Sequence, residues 1–491
     1  MTRACVIGAG LGGLALAIRL QAAGIATTLV EARAVPGGHA CVWKREGFTW
    51  DAGPSTISDP AAFRELWALS ARDMEADVAL LPLESHARVH WPDGAVFDRP
   101  ADETRLRAEI ARLAPGDLAG YEDFTRFVGE VHDEARGKIA QSANDITGLA
   151  KAAPTLARLQ AWRSLYSRVA GFVKSEKLRQ ALTLQTLVLG ANPMSASAPF
   201  AVIQRSERDG IWSVKGGMGR VITALVKMFE DLGGTLRLGD PALRVHTIGN
   251  RAHEVETASG WRERFDAVAS NADAVRTYRE LLGDTARGTA FAAKLARKSW
   301  SPSVFAVYFG LEGNWPAIAP HTVLLGSRYG ELLADIFEHG VLPRDQIIFL
   351  NHASAVDTAA APTGQSAFTA WMPVPHLGKL PIDWEEVGPL LARRVLDEVG
   401  RRFVPDIHDR LVTQFHRTPS DLATDLGAFA GTAWGLESTP AQSAYGRMAN
   451  RDSVIPNFYL VGASTHPGAG ISAVMASART TASLMLEDLR R

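Results

Sequence analysis

Residues 4–8 (ACVIG) are apolar up to a closing glycine, and residues 11–23 (LGGLALAIRLQAA) are apolar at nearly every position. A second short apolar run, residues 27–31 (TTLVE), ends on a carboxylate. This order predicts strand, glycine turn, helix and strand, which is half of a doubly wound parallel sheet. From about residue 60 to 210 the pattern changes. Stretches such as ADETRLRAEIARLAP and SEKLRQALTLQTLVLG space their apolar residues at helical intervals, so a mostly helical region is predicted.

Strand signals return in GGTLRLGD, ALRVHTIG and RFDAVASNAD, and again in SVFAVYFGL, HTVLLG, QIIFLNHAS and SAFTAWMPV. The second group is punctuated by Gly, Pro and Asn with no long helix between, which predicts an antiparallel sheet. A helix over 385–402 and a strand over 411–416 follow. The chain closes with the strand NFYLVGA and the helix GISAVMASARTTASLMLEDL. There is no internal repeat and no low-complexity linker. At 491 residues the chain exceeds one core, so its domains are expected to interleave in sequence.

Composition narrows this picture only modestly. The net charge of −1 gives no electrostatic case for nucleic acid. Two cysteines, Cys5 and Cys41, exclude a disulfide framework or a cysteine-rich metal site and fit a reducing cytoplasm. The opening MTRACVIGAGLGGLALAI superficially mimics a signal peptide, but its glycines fall where a phosphate loop needs them. No uninterrupted apolar run of about 18 residues predicts a spanning helix.

Gly8, Gly10 and Gly13 form G-x-G-x-x-G between a strand and a helix. Gly8 permits the tight turn, Gly10 lets a pyrophosphate approach bare backbone, and Gly13 lets the helix pack on the sheet. The helix start then offers unpaired N–H groups and a positive dipole end. Glu31 ends the second strand at the distance expected of a ribose-hydroxyl acceptor, and its charge would repel the 2′-phosphate of NADP. A second glycine turn, Gly37 and Gly38, follows at once, which suits the longer FAD better than NAD. Near the end, YLVGASTHPGAGISAVMASA supplies strand, glycine-rich turn and helix. The helix start at Gly470 and Ile471 would stabilise negative charge on a reduced flavin.

With these segments the chain resembles the bacterial phytoene desaturase family, the FAD-dependent carotenoid desaturases. The likeness runs end to end through GLGGLALAIRLQAAGI, GFTWDAGPSTISDP, QAWRSLYSRVAGF, EKLRQALTLQTLVLGANP, KGGMGRV, SNAD, QSAYGRMANRD and GASTHPGAGI. The resemblance implies an α/β flavin amine oxidase-like architecture. A discontinuous Rossmann-type FAD-binding domain (1–80, 210–285 and 440–491) would join a helical, membrane-facing region (81–209) and an antiparallel-sheet substrate domain (286–439). It implies FAD contacts extending to His39, Pro54, Val245, Gly462 and Ala469. It further implies hydride transfer from an allylic C–H of a long polyene to flavin N5, with oxygen or a membrane quinone as final acceptor. Peripheral attachment to the inner membrane would follow. The stretch LQAWRSLYSRVAGFV, residues 159–173, places Trp162, Tyr166, Val169 and Val173 near one helical face. Arg158, Arg163, Arg168 and Lys174 lie around it, as in an interfacial helix meeting anionic lipid or, equally, in a core-facing helix with solvated arginines.

Several positions depart from the family's usual pattern. His39 stands where Arg is common, and a shorter, partly charged side chain weakens a pyrophosphate contact. Ser464 replaces a usual glycine, and Ser472 and Ala473 replace Pro–Gly. Gly446, Met448 and Ala449 stand for an aromatic, a proline and a histidine. Gln185, Gly435, Ser438 and Thr439 also differ, and residues 131–150 barely match. These changes motivate two alternatives to desaturation: a redox-neutral, FAD-dependent carotenoid isomerase and a non-catalytic flavin-binding homologue. A soluble amine oxidase is a further, more distant reading. No histidine pair has metal-binding spacing. Asp51, Asp145 and Asp209 are possible proton acceptors, and His466 lies close to the predicted flavin, but the sequence assigns no catalytic residue.

Overall fold

The computed structural model describes residues 2–134, 153–202, 204–205, 210–443 and 446–490. Asp145, Asp209 and most of 131–150 therefore lie outside the described residues. A five-stranded parallel sheet is ordered Thr235–Arg237, Ala26–Val30, Arg3–Ile7, Ala267–Ser270 and Phe458–Leu460. Its strands come from three distant parts of the chain, and both of its faces are covered. The helix Leu11–Ala22 is buried from Leu11 to Leu20 because it lies between the sheet and two further helices, Met218–Asp231 and Ile471–Leu489. Burial on all sides explains its lack of an obvious polar face, the property that lent it the look of a signal peptide. On the other face packs an antiparallel meander, Ala242–Ile248, Arg251–Thr257 and Arg262–Arg264.

The second large sheet has seven strands, ordered Leu411–Arg417, Ser303–Glu312, Gln365–Val374, Ile348–His352, His321–Leu324, Ser85–His90 and Val96–Pro100. All its pairings are antiparallel except that of His321–Leu324 with Ser85–His90. One face buries Phe305, Val307, Phe309 and Leu311 against the helix Trp384–Arg402. Asp383 starts that helix by accepting the N–H groups of Glu385 and Glu386. Two layers cover the opposite face. Part of it is covered by the hairpin Val42–Arg45 and Phe48–Asp51, through Phe48, Trp50 and Tyr308. The rest is covered by helices including Glu103–Leu113, Leu118–Glu134 and Glu176–Thr183.

Two expectations need correction. The span predicted as helical contains the hairpin Ser85–Pro100, which extends the wide sheet, and Arg88 pairs with Asp98 across it at 2.7 Å. Its alternation, HARVH then VFDRP, is short and rich in charge, so the period-2 signal was masked. Nor is 159–173 one amphipathic helix. Residues 159–162 form turns, 163 is a bend, and only Leu165–Val169 of this stretch is helical. Val169 and Val173 are fully buried. Arg158 pairs with Glu130 and Glu134, Arg163 bonds Gln160 and Ser167, and Arg168 lies over the Phe127 and Phe172 rings. Arg158 is exposed and Arg163 and Arg168 half-buried, and the exposed residue of the apolar set is Trp162.

Candidate flavin site

The first strand ends at Gly8, whose φ of +99° turns the chain into the helix beginning at Leu11. A side chain at Gly13 would overlap the Gly8 carbonyl oxygen, and one at Gly10 would come within 2.8 Å of Asn271 Oδ1. Gly13 is bare because helix and strand approach to backbone contact, and Gly10 because the Asn271 side chain occupies the space beside it. Glu31 is buried, with Oε2 accepting the Ala9 N–H at 2.7 Å and Oε1 the Arg33 N–H at 2.9 Å. Each carboxylate oxygen retains a second lone pair for a ribose hydroxyl.

The second glycine turn lies directly on the first. Gly37 donates to Ala9 O at 2.8 Å and bridges to Gly10, while a Cβ on Gly38 would sit 3.4 Å from the Gly10 Cα. Both take positive φ, +113° and +56°. His39 follows, open to the groove but enclosed by protein. Burial, then the Arg33 charge, lowers its pKa to about 4, so at neutral pH it is uncharged rather than partly charged. Its carbonyl touches Gly53, where a Cβ would come within 2.6 Å, and that places Pro54 next in the same loop. Asp51 of this loop accepts the Met218 N–H at 2.7 Å and so caps the helix opened by KGGMG. Burial raises its pKa to about 7, against the pull of that hydrogen bond.

The C-terminal turn completes the ring. Gly462, at φ +113°, abuts Asn271 Nδ2, which donates to Val461 O at 3.0 Å. Gly470, at φ +99°, caps the helix Ile471–Leu489, and a Cβ there would meet Leu189 Cδ2 at 2.9 Å. Ala469 and Ile471 are half-buried beside it. Gly12 faces Val474 of the same helix, so the two ends of the chain meet. Val245 is the exception: its side chain belongs to the core with Cys5, Ile7 and Val30, so only its backbone is available to a ligand. His466 is buried, and its carbonyl accepts from Asn450 Nδ2 at 3.1 Å.

Three residues passed over at the sequence level organise this ring. Asn271 fills the space left by Gly10, Gly12, Gly13 and Gly462. No local signal marks it: SNAD ends a strand, but the glycines it serves lie far away in the chain. Arg447 is buried, donating to Leu436 O, Ser438 Oγ and Ala463 O, and burial lowers its pKa to about 10. Asn450 is fully buried and ties Leu460 O to Ser477 and Thr481 of the last helix. Among the described residues no His, Cys, Asp and Glu cluster could hold a metal ion.

Beside the C-terminal turn the inner face of the wide sheet is aromatic. Trp371 stacks on Phe349 at 4.1 Å between ring centres and tilts against Trp434 at 6.2 Å. Trp434 covers Gly190, where a Cβ would be 2.5 Å from its ring. An apolar wall thus runs from the helical layer to the turn carrying Gly470. Paired glycine turns, a buried carboxylate at Glu31 and two glycine-led helix starts, at Leu11 and Ile471, fit a dinucleotide as long as FAD.

Residues 11–486 match the profile of the flavin containing amine oxidoreductase family, and the chain belongs to that family. Solved structures agree on the fold. A putrescine oxidase bound to putrescine aligns at TM-score 0.64 and 16% identity, covering 100% of this chain and 99% of that one. The cyclohexylamine oxidase of Brevibacterium oxydans IH-35A aligns at TM-score 0.62 and 15% identity over all of both chains. Within this class the chain is a member of the bacterial phytoene desaturase family. It is 46% identical to the lycopene-forming phytoene desaturase of Paracoccus sp. (strain N81106 / MBIC 01143), covering 99% of this chain and 97% of that protein. The corresponding enzyme of Pseudescherichia vulneris is 44% identical over the whole of both chains. The neurosporene-forming enzyme of Cereibacter sphaeroides is 36% identical over 98% and 94%.

Proposed function

We propose that this protein is an FAD-dependent carotenoid desaturase that introduces C=C bonds into a long polyene such as phytoene. The observation that carries this reading is identity of 43–46% to three lycopene-forming phytoene desaturases along essentially the whole chain. Bound FAD supplies a two-electron acceptor for hydride leaving an allylic carbon. Gly8, Gly10, Gly13, Gly37 and Gly38 present backbone to its pyrophosphate, and Glu31 holds the ribose. Val245 offers its backbone to the adenine. His39 and Pro54 flank the chain of the cofactor, while Gly462, Ala469, Gly470 and Ile471 present the last helix start to the flavin ring. A hydrocarbon offers nothing to a charged clamp, so its binding rests on apolar area at about 25 cal/mol per Å². The Phe349–Trp371–Trp434 wall supports that role.

The three-part domain division is retained in this proposal, with the Ser85–Pro100 hairpin moved to the substrate sheet. Among the described residues no helix is long and apolar enough to cross a membrane. The substrate is insoluble in water, so the reading includes peripheral attachment at the inner membrane, with exposed Trp162 as a contact, and a quinone or oxygen as final acceptor. The isomerase and the non-catalytic homologue are not favoured. Co-expression with a phytoene-producing pathway tests the function: a coloured product lighter by multiples of two hydrogens is expected. Unchanged phytoene beside an FAD-loaded protein, or a product of unchanged mass, would refute it.

A further inference from the structure

Desaturation removes hydrogens from two adjacent carbons. One leaves as hydride, carrying both electrons of its C–H bond to the FAD. The other leaves as a proton, and the pair it leaves behind becomes the new π bond. The cofactor accounts for the electrons; the proton needs a base within an apolar enclosure.

Glu437 is buried, 8% exposed, and no hydrogen-bond donor reaches its carboxylate among the described residues. Its backbone is pinned: the N–H donates to Ser299 O at 3.1 Å and the carbonyl accepts from Gln442 Nε2 at 3.1 Å. Residues on either side are tied to one arginine, with Arg447 Nη1 donating to Leu436 O at 3.0 Å and Ser438 Oγ at 3.3 Å. The same guanidinium holds Ala463 O in the C-terminal turn. Trp434, three residues earlier, forms the end of the aromatic wall. Glu437 thus sits on the short segment joining that wall to the turn that carries Gly470.

Other buried carboxylates here have partners. Asp51 accepts Met218 N–H, Asp273 caps Val275 and Arg276, and Asp452 accepts from Arg287 and Tyr278. The charged groups around Glu437 are Lys379, whose ammonium donates to Phe337 O, and Arg447, whose bonds go to the neighbouring backbone and Ser438. Among the described residues this carboxylate has burial but no donor, which is costly, and such groups mark functional positions. Burial pushes its pKa up to about 7, with Lys379 opposing. It is therefore substantially ionised at neutral pH yet readily protonated.

We propose that Glu437 is the proton acceptor of the desaturation, taking the hydrogen from the carbon next to the hydride donor and releasing it to water before the next turnover. This rests on the desaturase reading. The test uses FAD-loaded wild type, E437Q and E437D, mixed anaerobically with phytoene in liposomes, following flavin bleaching from pH 5 to 9. Wild-type bleaching is expected to quicken as pH rises through about 7. In E437Q the rate falls about a hundredfold or more and that limb disappears, while E437D keeps the limb at reduced rate. FAD content stays unchanged.

Two readouts need no turnover. A carboxyl infrared band titrating near neutrality is missing from E437Q. The folded group ionises near 7 against 4.5 for the ordinary value, so its burden on stability grows as pH rises between them. E437Q therefore melts higher than wild type at pH 8 and not at pH 4. Bleaching by E437Q at the wild-type rate, with its pH limb intact, overturns the proposal alone. So does an E437Q that melts lower throughout while E437D bleaches without a limb, which marks a brace. A wild type that leaves its flavin oxidised overturns the desaturase reading and the proposal with it.

Discussion

The two glycine-rich turns of the site solve the same problem differently. At the N-terminal turn the tightest limit is backbone: a Cβ on Gly13 would fall on the Gly8 carbonyl oxygen, which cannot move aside, while Gly10 faces the Asn271 side chain. At the C-terminal turn, side chains do the fitting. Ser464 stands where the family resemblance implies glycine, yet it is accommodated: Gly435, at φ +71°, leaves open the volume its hydroxyl fills, and a Cβ on Gly435 would overlap Ser464 Oγ. Departures near the flavin are therefore packed, not merely tolerated. A backbone-built turn resists change, whereas a side-chain-built one permits compensated exchange.

The sharpest way to break the contrast is Gly13→Ala. Its methyl group has nowhere to go but the Gly8 carbonyl, so a loss of about 3 kcal/mol or more and failure to retain FAD are expected by thermal melt and flavin absorbance. At the other turn the effect should be conditional. Gly435→Ser alone is expected to cost about 2 kcal/mol through overlap and left-handed backbone strain. Adding Ser464→Gly removes the overlap but not the strain, so roughly 1 kcal/mol should return in a double-mutant cycle. Strict additivity would mean that the two positions are not a packed pair.

The smallest effect is expected at His39. Without a phosphate beside it the ring is neutral above about pH 4. Phosphates raise that value, so FAD binding takes up a proton and should tighten as pH falls toward 5. His39→Arg supplies a fixed charge, and a gain of about 1 kcal/mol in FAD affinity at pH 8 is expected, with the acid-side tightening removed. Fluorescence titration of FAD into stripped protein measures both. A wild-type affinity flat in pH would place His39 away from the phosphates.

What was legible follows how local each signal is. The opening strand, turn and helix could be read because Gly8, Gly10, Gly13 and Glu31 lie within one supersecondary unit. The antiparallel strands of the wide sheet were equally plain, being long and bounded by turn residues. The Ser85–Pro100 hairpin was not, since its charged alternation matches a solvated helix as well as an edge pair. The stretch 159–173 misled for a related reason: helical spacing says which residues share a face but not that Arg168 would lie on the Phe127 and Phe172 rings while Arg158 pairs with Glu130 and Glu134 at the surface. Asn271, Arg447 and Glu437 were beyond reach. Each matters through neighbours far away in the chain, and a lone Asn, Arg or Glu has no local pattern to announce it.

Asn271 and Val461 touch although they lie 190 positions apart in the chain. The strand Phe458–Leu460, at one edge of the nucleotide sheet, is thus synthesised long after its neighbour Ala267–Ser270. Until it docks, that neighbour carries an open apolar edge, and closing so long a loop is slow. A cofactor held as proposed, against both glycine turns, would then be as much the clasp that finishes the molecule as the reagent it uses.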